Sequence, residues 1–233
     1  MGLAARLRMA SHALTVSAEV LADAPWGFWE QAETSGTTLA DSSGNARSMT
    51  ISGSSHTLNQ TGPSAALVAI AWANAAGYAV TAVTVDTSDV TMEAWVYLTA
   101  NPSAGTAITG HAIAFDNGTR DKTLYVDTSG RACMHFYSGS SIVVTASAPL
   151  SLNAWHHVIG SVGAAGAKIR VDKITVGTNA ATTSAFGFNQ LVFIRGGGSG
   201  FNGNGAMKIA MVARYTSQLS DARTDAHYDA GMA

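Results

Sequence analysis

Two adjacent histidines, His156 and His157, lie in the run LNAWHHVIGSVGAAGAKIRVD (152–172). By type they are suited to bind a metal ion or to move a proton. Their spacing argues against a shared metal. Neighbouring side chains on a strand point to opposite faces, so histidines at i and i+1 cannot ligate one ion without a bulge. A metal pair on a strand needs i and i+2, and position 158 is valine. The alternation of Trp155, His157 and Ile159 against His156, Val158 and Gly160 reads as a packed strand that turns at Ala164-Ala165-Gly166.

Carboxylates are the next candidates. Glycoside cleavage needs two, one to attack or activate water and one to protonate the leaving group. The glutamates are Glu19, Glu30, Glu33 and Glu93, and none has an acidic residue two positions away along a strand. Glu93 sits between Met92 and Ala94 in an apolar run, where a carboxylate must be paired or hydrogen-bonded, so a structural role is expected. A Ser–His–Asp arrangement is open on composition, but no Gly-x-Ser-x-Gly elbow occurs. The glycine-rich run RGGGSGFNGNG lacks the Gly-Lys-Ser/Thr ending of a phosphate cradle and reads as a loop. Asp41 and Asn45, in DSSGN, offer oxygen ligands that calcium favours. Asn117, Arg120 and Asp121 fall in FDNGTRDK, the most polar loop of the middle region. With Tyr125, Phe136 and Tyr137 they are candidates for a sugar-binding face. Trp29, Trp95 and Trp155 lie in apolar strand patterns and are read as core, as is the single cysteine, Cys133.

These residues need a scaffold. The chain has 233 residues, 47% hydrophobic and only 12% charged, about half the usual charged share of roughly 25%. A net charge of −2 leaves no basic field for nucleic acid or anionic lipid. No apolar run reaches the ~18 residues of a membrane span, and the N-terminal stretch MASHALTVSA lacks the continuous apolar core of a leader. The weakly charged surface predicts association, with itself or with other proteins.

Residues 1–24 form an arm, helical towards its end, that stops at Ala24-Pro25. From residue 25 onward, apolar runs such as VTMEAWVYL (90–98), RACMHFYS (131–138), AWHHVIGSV (154–162) and MKIAMVARY (207–215) alternate with DSSGN, DNG, TSG and GAAG turns. Strands at this spacing without long helices predict one antiparallel two-sheet domain over 25–233. In LSDARTDAHYDAG, Ser220 serves as N-cap and Gly231 as stop for a short closing helix.

Four stretches together resemble a known family. PWGFWEQAETSGTTLADSSGNARSMTISG, VTMEAWVYL, LNAWHHVIGSV with KIRVDKITVG, and FNGNGAMKIAMVARYTSQLSDARTDAHYDAG are similar, in this order, to a laminin-G-like jelly roll of the concanavalin A-like lectin/glucanase superfamily. The resemblance implies an all-β, antiparallel two-sheet jelly-roll sandwich and a biology of glycan or protein binding. Some members bind calcium through an acidic position in the last strand. Here that stretch is Ile209-Ala210-Met211-Val212, so the expectation is no cofactor, with calcium as the alternative. The start LADAPWGFW, with nine arginines to four lysines, is similar to minor tail or decoration proteins of phages of actinobacteria.

The resulting expectation is a non-enzymatic virion protein of the tail, with a lectin-like domain for host glycans. Residues 1–24 would hold it to other virion proteins, and it would form a homo-oligomer. A capsid decoration protein and a secreted carbohydrate-binding module are the alternatives.

Overall fold

A computed structural model of the chain describes residues 16–73, 78–85, 89–103, 106–112, 120–183, 188–193 and 207–233. Its strands, numbered along the chain, form two antiparallel sheets. The first runs β14 (Ile174–Asn179), β13 (Gly166–Val171), β12 (Trp155–Gly163), β7 (Val90–Leu98), β16 (Met207–Tyr215), β5 (Val68–Trp72) and β4 (His56–Thr61), with β1 (Gly27–Trp29) also pairing to β16. The second runs β11 (Ser141–Thr145), β10 (Ala132–Tyr137), β9 (Arg120–Val126), β8 (Thr106–Ala112), β15 (Phe188–Phe193), β6 (Tyr78–Val85), β3 (Met49–Ser52) and β2 (Thr38–Leu39). The expected antiparallel jelly-roll sandwich is the observed fold.

Its interior follows the period of two. On β10, Ala132, Met134 and Phe136 point inward, together with Leu124 and Val126 of β9. Phe136 is therefore core and offers no stacking surface. Strand β7 is different, because it is buried on both faces. Val90, Met92, Ala94, Val96 and Leu98 fill the sandwich, whereas Trp95 faces a second, smaller core on the outside of the first sheet.

That second core lies under two helices. One comprises residues 16–22 (α1) and the other is α2 (Asp221–Met232). Val16 and Val20 pack with Phe28, Leu67, Trp95 and Tyr215. Residues 16–24 thus belong to the domain, and the boundary read at residue 24 moves back. The reason is burial: each fully covered valine contributes about 1.5–3 kcal/mol.

Helix α2 is capped as expected, Ser220 Oγ accepting the Arg223 N–H at 3.3 Å. Gly231, however, does not stop it. The helix continues to Met232, and a Cβ at Gly231 would lie 2.7 Å from Trp95 Cζ2. The glycine is needed for close approach to the tryptophan, not for a turn. Polar contacts fix the same helix. Asp221, Asp225 and Asp229 recur every four residues and meet Lys168, Arg170 and Lys173 of the β13–β14 hairpin. Among the described residues no helix is long and apolar enough to cross a membrane.

Candidate functional site

The two sheets differ in what their outer faces offer. The helices pack on the first, whereas on the second Thr123, Cys133 and Tyr125 are buried and only the end with Tyr137 and Val143 is exposed. Register puts Cys133 beside Tyr125 and Thr145, His135 beside Thr123 and Val143, and Tyr137 beside Ser141. These residues alternate with the core-facing set, so they share the outer side. Tyr137 is 49% exposed and Val143 44% exposed, and His135 Nε2 lies 2.8 Å from Ser141 Oγ between them. An exposed phenol ring beside an apolar surface and hydroxyl groups is the combination that stacks on and hydrogen-bonds a sugar ring.

The other sequence candidates fall elsewhere. Asn117 lies outside the described residues, and Arg120 opens β9 opposite Ala112. Asp121 is not in an exposed loop. It is 2% exposed within β9, because its carboxylate pairs with Lys122 Nζ at 2.9 Å and accepts the Lys122 and Tyr137 N–H groups at 2.8 and 2.7 Å. Its role is to hold the end of β10, and so the backbone of Tyr137, in place. Tyr125 is only 9% exposed, opposite Cys133. Burial, then Cys133, pushes its hydroxyl well above the ordinary tyrosine range. Of the proposed stacking residues, Tyr137 alone presents a large surface.

Asp41 organises its own turn. Oδ1 accepts the N–H groups of Phe28 (3.0 Å) and Ser43 (2.9 Å), and Oδ2 accepts that of Arg47 (2.8 Å). Burial raises its pKa, but the Ser43 side-chain hydrogen bond and these backbone donors outweigh burial and hold it below the ordinary value. Asn45 donates through Nδ2 to the carbonyls of Pro25 and Trp26. No group of three or more His, Cys, Asp or Glu side chains is arranged for a metal among the described residues.

The paired histidines separate as the strand period requires. His156 lies on the sandwich-facing side of β12 at its rim, with Val158, its Nδ1 2.6 Å from Asp172 Oδ2 and its Nε2 2.8 Å from Ser151 Oγ. His157 lies on the outer side of the first sheet, fully buried beneath α2, stacked on Trp95 at 4.9 Å, with Nε2 3.2 Å from Glu93 Oε2. Glu93 is the centre of a buried cluster that the sequence pointed to only through Glu93 itself. Tyr215 Oη donates to Oε1 at 2.6 Å, and His227 Nδ1 of α2 stands 3.1 Å from the same carboxylate. Beyond it, His227 Nε2 lies 2.9 Å from Asp23, which also receives Arg223. Burial alone would raise the Glu93 pKa, but the His227 charge and the His157 and His227 contacts hold it far below the ordinary value. Trp29 and Trp95 are core, Trp29 Nε1 donating to the Arg47 carbonyl at 3.0 Å, while Trp155 is half-buried against Tyr97.

The remaining glutamates are engaged structurally. Glu30 accepts from Ser17 and Ser42, Glu33 from the Ala40 N–H, and Glu19 pairs with Arg223. No two carboxylates face one another across an open cleft among these residues.

Residues 72–223 match the model of a laminin-G family described as the concanavalin A-like lectin/glucanases superfamily. The chain belongs to this superfamily. Solved structures share the lectin-like fold at low identity. A structure of botulinum neurotoxin type C, whose cell entry is dependent upon interaction with two ganglioside molecules, superposes with a TM-score of 0.69 at 12% identity, covering 92% of this chain and 52% of that one. The ligand-binding domain of botulinum neurotoxin serotype D, in complex with N-acetylneuraminic acid, gives 0.65 at 14% identity, again covering 92% and 52%. Trypanosoma rangeli sialidase gives 0.63 at 12% identity, covering 87% of this chain and 32% of that one. This lectin-like chain therefore spans about a third to a half of the structures it resembles. No curated protein matches it.

Proposed function

We propose that this superfamily member is a glycan-binding module carried on a virion, whose primary role is attachment and not glycoside cleavage. The observation that carries the reading is the outer face of the second sheet, where Tyr137 and Val143 stand exposed beside the His135–Ser141 pair. Helices pack on the outer side of the first sheet, and on the second the exposed part of the face is the end that carries Tyr137 and Val143. Solved neighbours with the same fold include toxin domains in complex with sialylated ligands, which supports a sugar as the class of ligand.

The virion setting rests on the likeness of LADAPWGFW, with the excess of arginine over lysine, to minor tail or decoration proteins of phages of actinobacteria. Residues 1–15 remain as the segment that holds the module to other virion proteins, and the low surface charge supports a homo-oligomer. No metal is required in this reading, since backbone donors occupy both Asp41 oxygens. Chelation should leave the unfolding midpoint unchanged, and calcium should not raise it.

Two experiments test the proposal. A glycan array that includes sialylated and bacterial-wall sugars should give signals lost in Tyr137→Ala; an array blank at high protein concentration would refute glycan binding. Immunogold microscopy of particles should place the chain on the tail. An even coat on the head would make it a decoration protein. Absence from particles would favour a secreted binding module.

A further inference from the structure

A second constellation lies at the rim of the first sheet, away from the proposed sugar face. Ser151 precedes the turn into β12, His156 is the second residue of that strand, and Asp172 follows β13 across the hairpin. Ser151 Oγ is 2.8 Å from His156 Nε2, and His156 Nδ1 is 2.6 Å from Asp172 Oδ2. The carboxylate is held from a second side, because Oδ1 accepts the His157 N–H at 2.9 Å and the Asp172 N–H donates to the His157 carbonyl at 3.0 Å. Asp172 and Lys173 take φ of +48° and +72° to make this turn, a backbone region that side chains other than glycine rarely occupy.

The order of these contacts has a chemical direction. In the neutral ring with Nδ1–H donated to Asp172, Nε2 keeps its lone pair towards the Ser151 hydroxyl at 2.8 Å, the arrangement that activates a serine nucleophile, and in the charged ring the same nitrogen has the Ser151 carbonyl at 3.3 Å as its acceptor. Ser151 is exposed. A cleft of about 200 Å³ adjoins the pair, lined by Pro149, Leu150, Val171 and Val176 with His156 and Asp172 in its wall. Its size and apolar lining suit a short acyl chain.

We propose that Ser151 and His156, positioned by Asp172, hydrolyse short-chain acyl esters. Ser151 Oγ attacks the ester carbonyl carbon as His156 Nε2 takes the hydroxyl proton. The tetrahedral adduct collapses, the bond to the alcohol oxygen breaks, and that oxygen takes the proton from His156. Water then attacks the acyl-serine, giving a proton to Nε2. The bond to Oγ breaks, and the proton returns to Ser151. One ester and one water become one acid and one alcohol. This activity goes beyond the attachment role and departs from the expectation of a protein without catalysis, although glycosidic bonds play no part in it.

The full-length protein should be treated with a fluorophosphonate probe and assayed with p-nitrophenyl acetate. Mass spectrometry should find the label on Ser151. Ser151→Ala should abolish labelling and lower turnover by ~10³-fold, with an unchanged unfolding midpoint because the residue is exposed. The rate should rise with pH as His156 loses its proton. Asp172 raises that proton's pKa above the ordinary histidine value, outweighing burial, so Asp172→Asn should move the profile to lower pH and reduce kcat more than it changes KM. An unlabelled Ser151, or hydrolysis that survives Ser151→Ala, would overturn the assignment.

Discussion

Tyr215 and Glu93 face each other across adjoining strands of the first sheet, the phenol hydroxyl donating to the carboxylate at 2.6 Å with both side chains sealed from water. The Tyr215 hydroxyl is correspondingly driven far above its ordinary pKa, first by burial and then by the Glu93 charge. The pair anchors α2, because His227 reaches the same carboxylate from the helix. Removing one member of such a cluster strands the others without partners. Glu93→Ala should therefore cost about 3–5 kcal/mol in urea unfolding. Tyr215→Phe, which deletes one hydrogen bond, should cost about 1–3 kcal/mol. A loss below 1 kcal/mol for Glu93→Ala would mean the cluster is not a structural centre.

The same cluster sets a pH dependence. Burial lowers the His227 pKa, but Glu93 and Asp23 outweigh it, and the net value is raised above 6.5. A raised folded value means that this contribution is complete below pH 6.5 and declines as pH rises through the folded pKa. The lowered Glu93 value acts only at strongly acid pH. Wild-type stability should fall from near-neutral pH upward, and the difference from His227→Gln should shrink over the same interval. His156 titrates in the same direction, so the comparison with the variant isolates His227. A difference independent of pH would show that His227 is neutral when folded.

Gly231 offers a steric test. A Cβ there would lie 2.7 Å from the Trp95 ring, so Gly231→Ala should destabilise by about 1–3 kcal/mol despite the better helix propensity of alanine. Near-ultraviolet circular dichroism, sensitive to Trp95 packing, should change with it. A neutral or stabilising result would mean that α2 sits further from the sheet.

On the second sheet, the exposed Tyr137 and the buried Tyr125 should behave oppositely. Tyr137→Ala should leave the unfolding midpoint in place and weaken glycan binding about tenfold, ~1.4 kcal/mol. Tyr125→Ala should cost about 3 kcal/mol of stability through the hole it leaves. Calorimetric unfolding and titration with an array-identified sugar separate the two.

The first residues divide the same way. Deletion of residues 1–15 should leave a fully stable domain that no longer enters particles. Deletion of residues 1–23 also removes Val16, Val20 and the Asp23 partner of Arg223 and His227, and should cost about 3–6 kcal/mol.

Much of the fold was readable because long apolar strands and turn residues alternate so regularly. Strands β7 and β16 and the β12–β13 hairpin stand out in that pattern, and the opposite facing of His156 and His157 follows from strand period alone. Strands β4 and β14 are not so marked: HTLNQT and ITVGTN lie at sheet edges with much of their surface exposed, so no apolar alternation signals them. Asp121 was misplaced because a charged tetrad, TRDK, reads as a loop, while the fold buries the Asp121–Lys122 pair together. His227 and Tyr215 reach Glu93 from 134 and 122 residues away, a proximity set by sheet order that local pattern cannot express. Ser151, His156 and Asp172 went unassembled for a related reason. Their meeting depends on the hairpin register and on the left-handed Asp172, not on an elbow motif.

Arg223 binds both Asp23 and Glu19, so the helix that opens the described chain and the helix that closes it lie side by side on one flank of the sandwich. A tether leaving either helix would fasten the molecule by the same side. In the attachment role proposed above, the sheet bearing Tyr137 would then look away from the support, and the orientation of display would be the same whichever end carried the attachment.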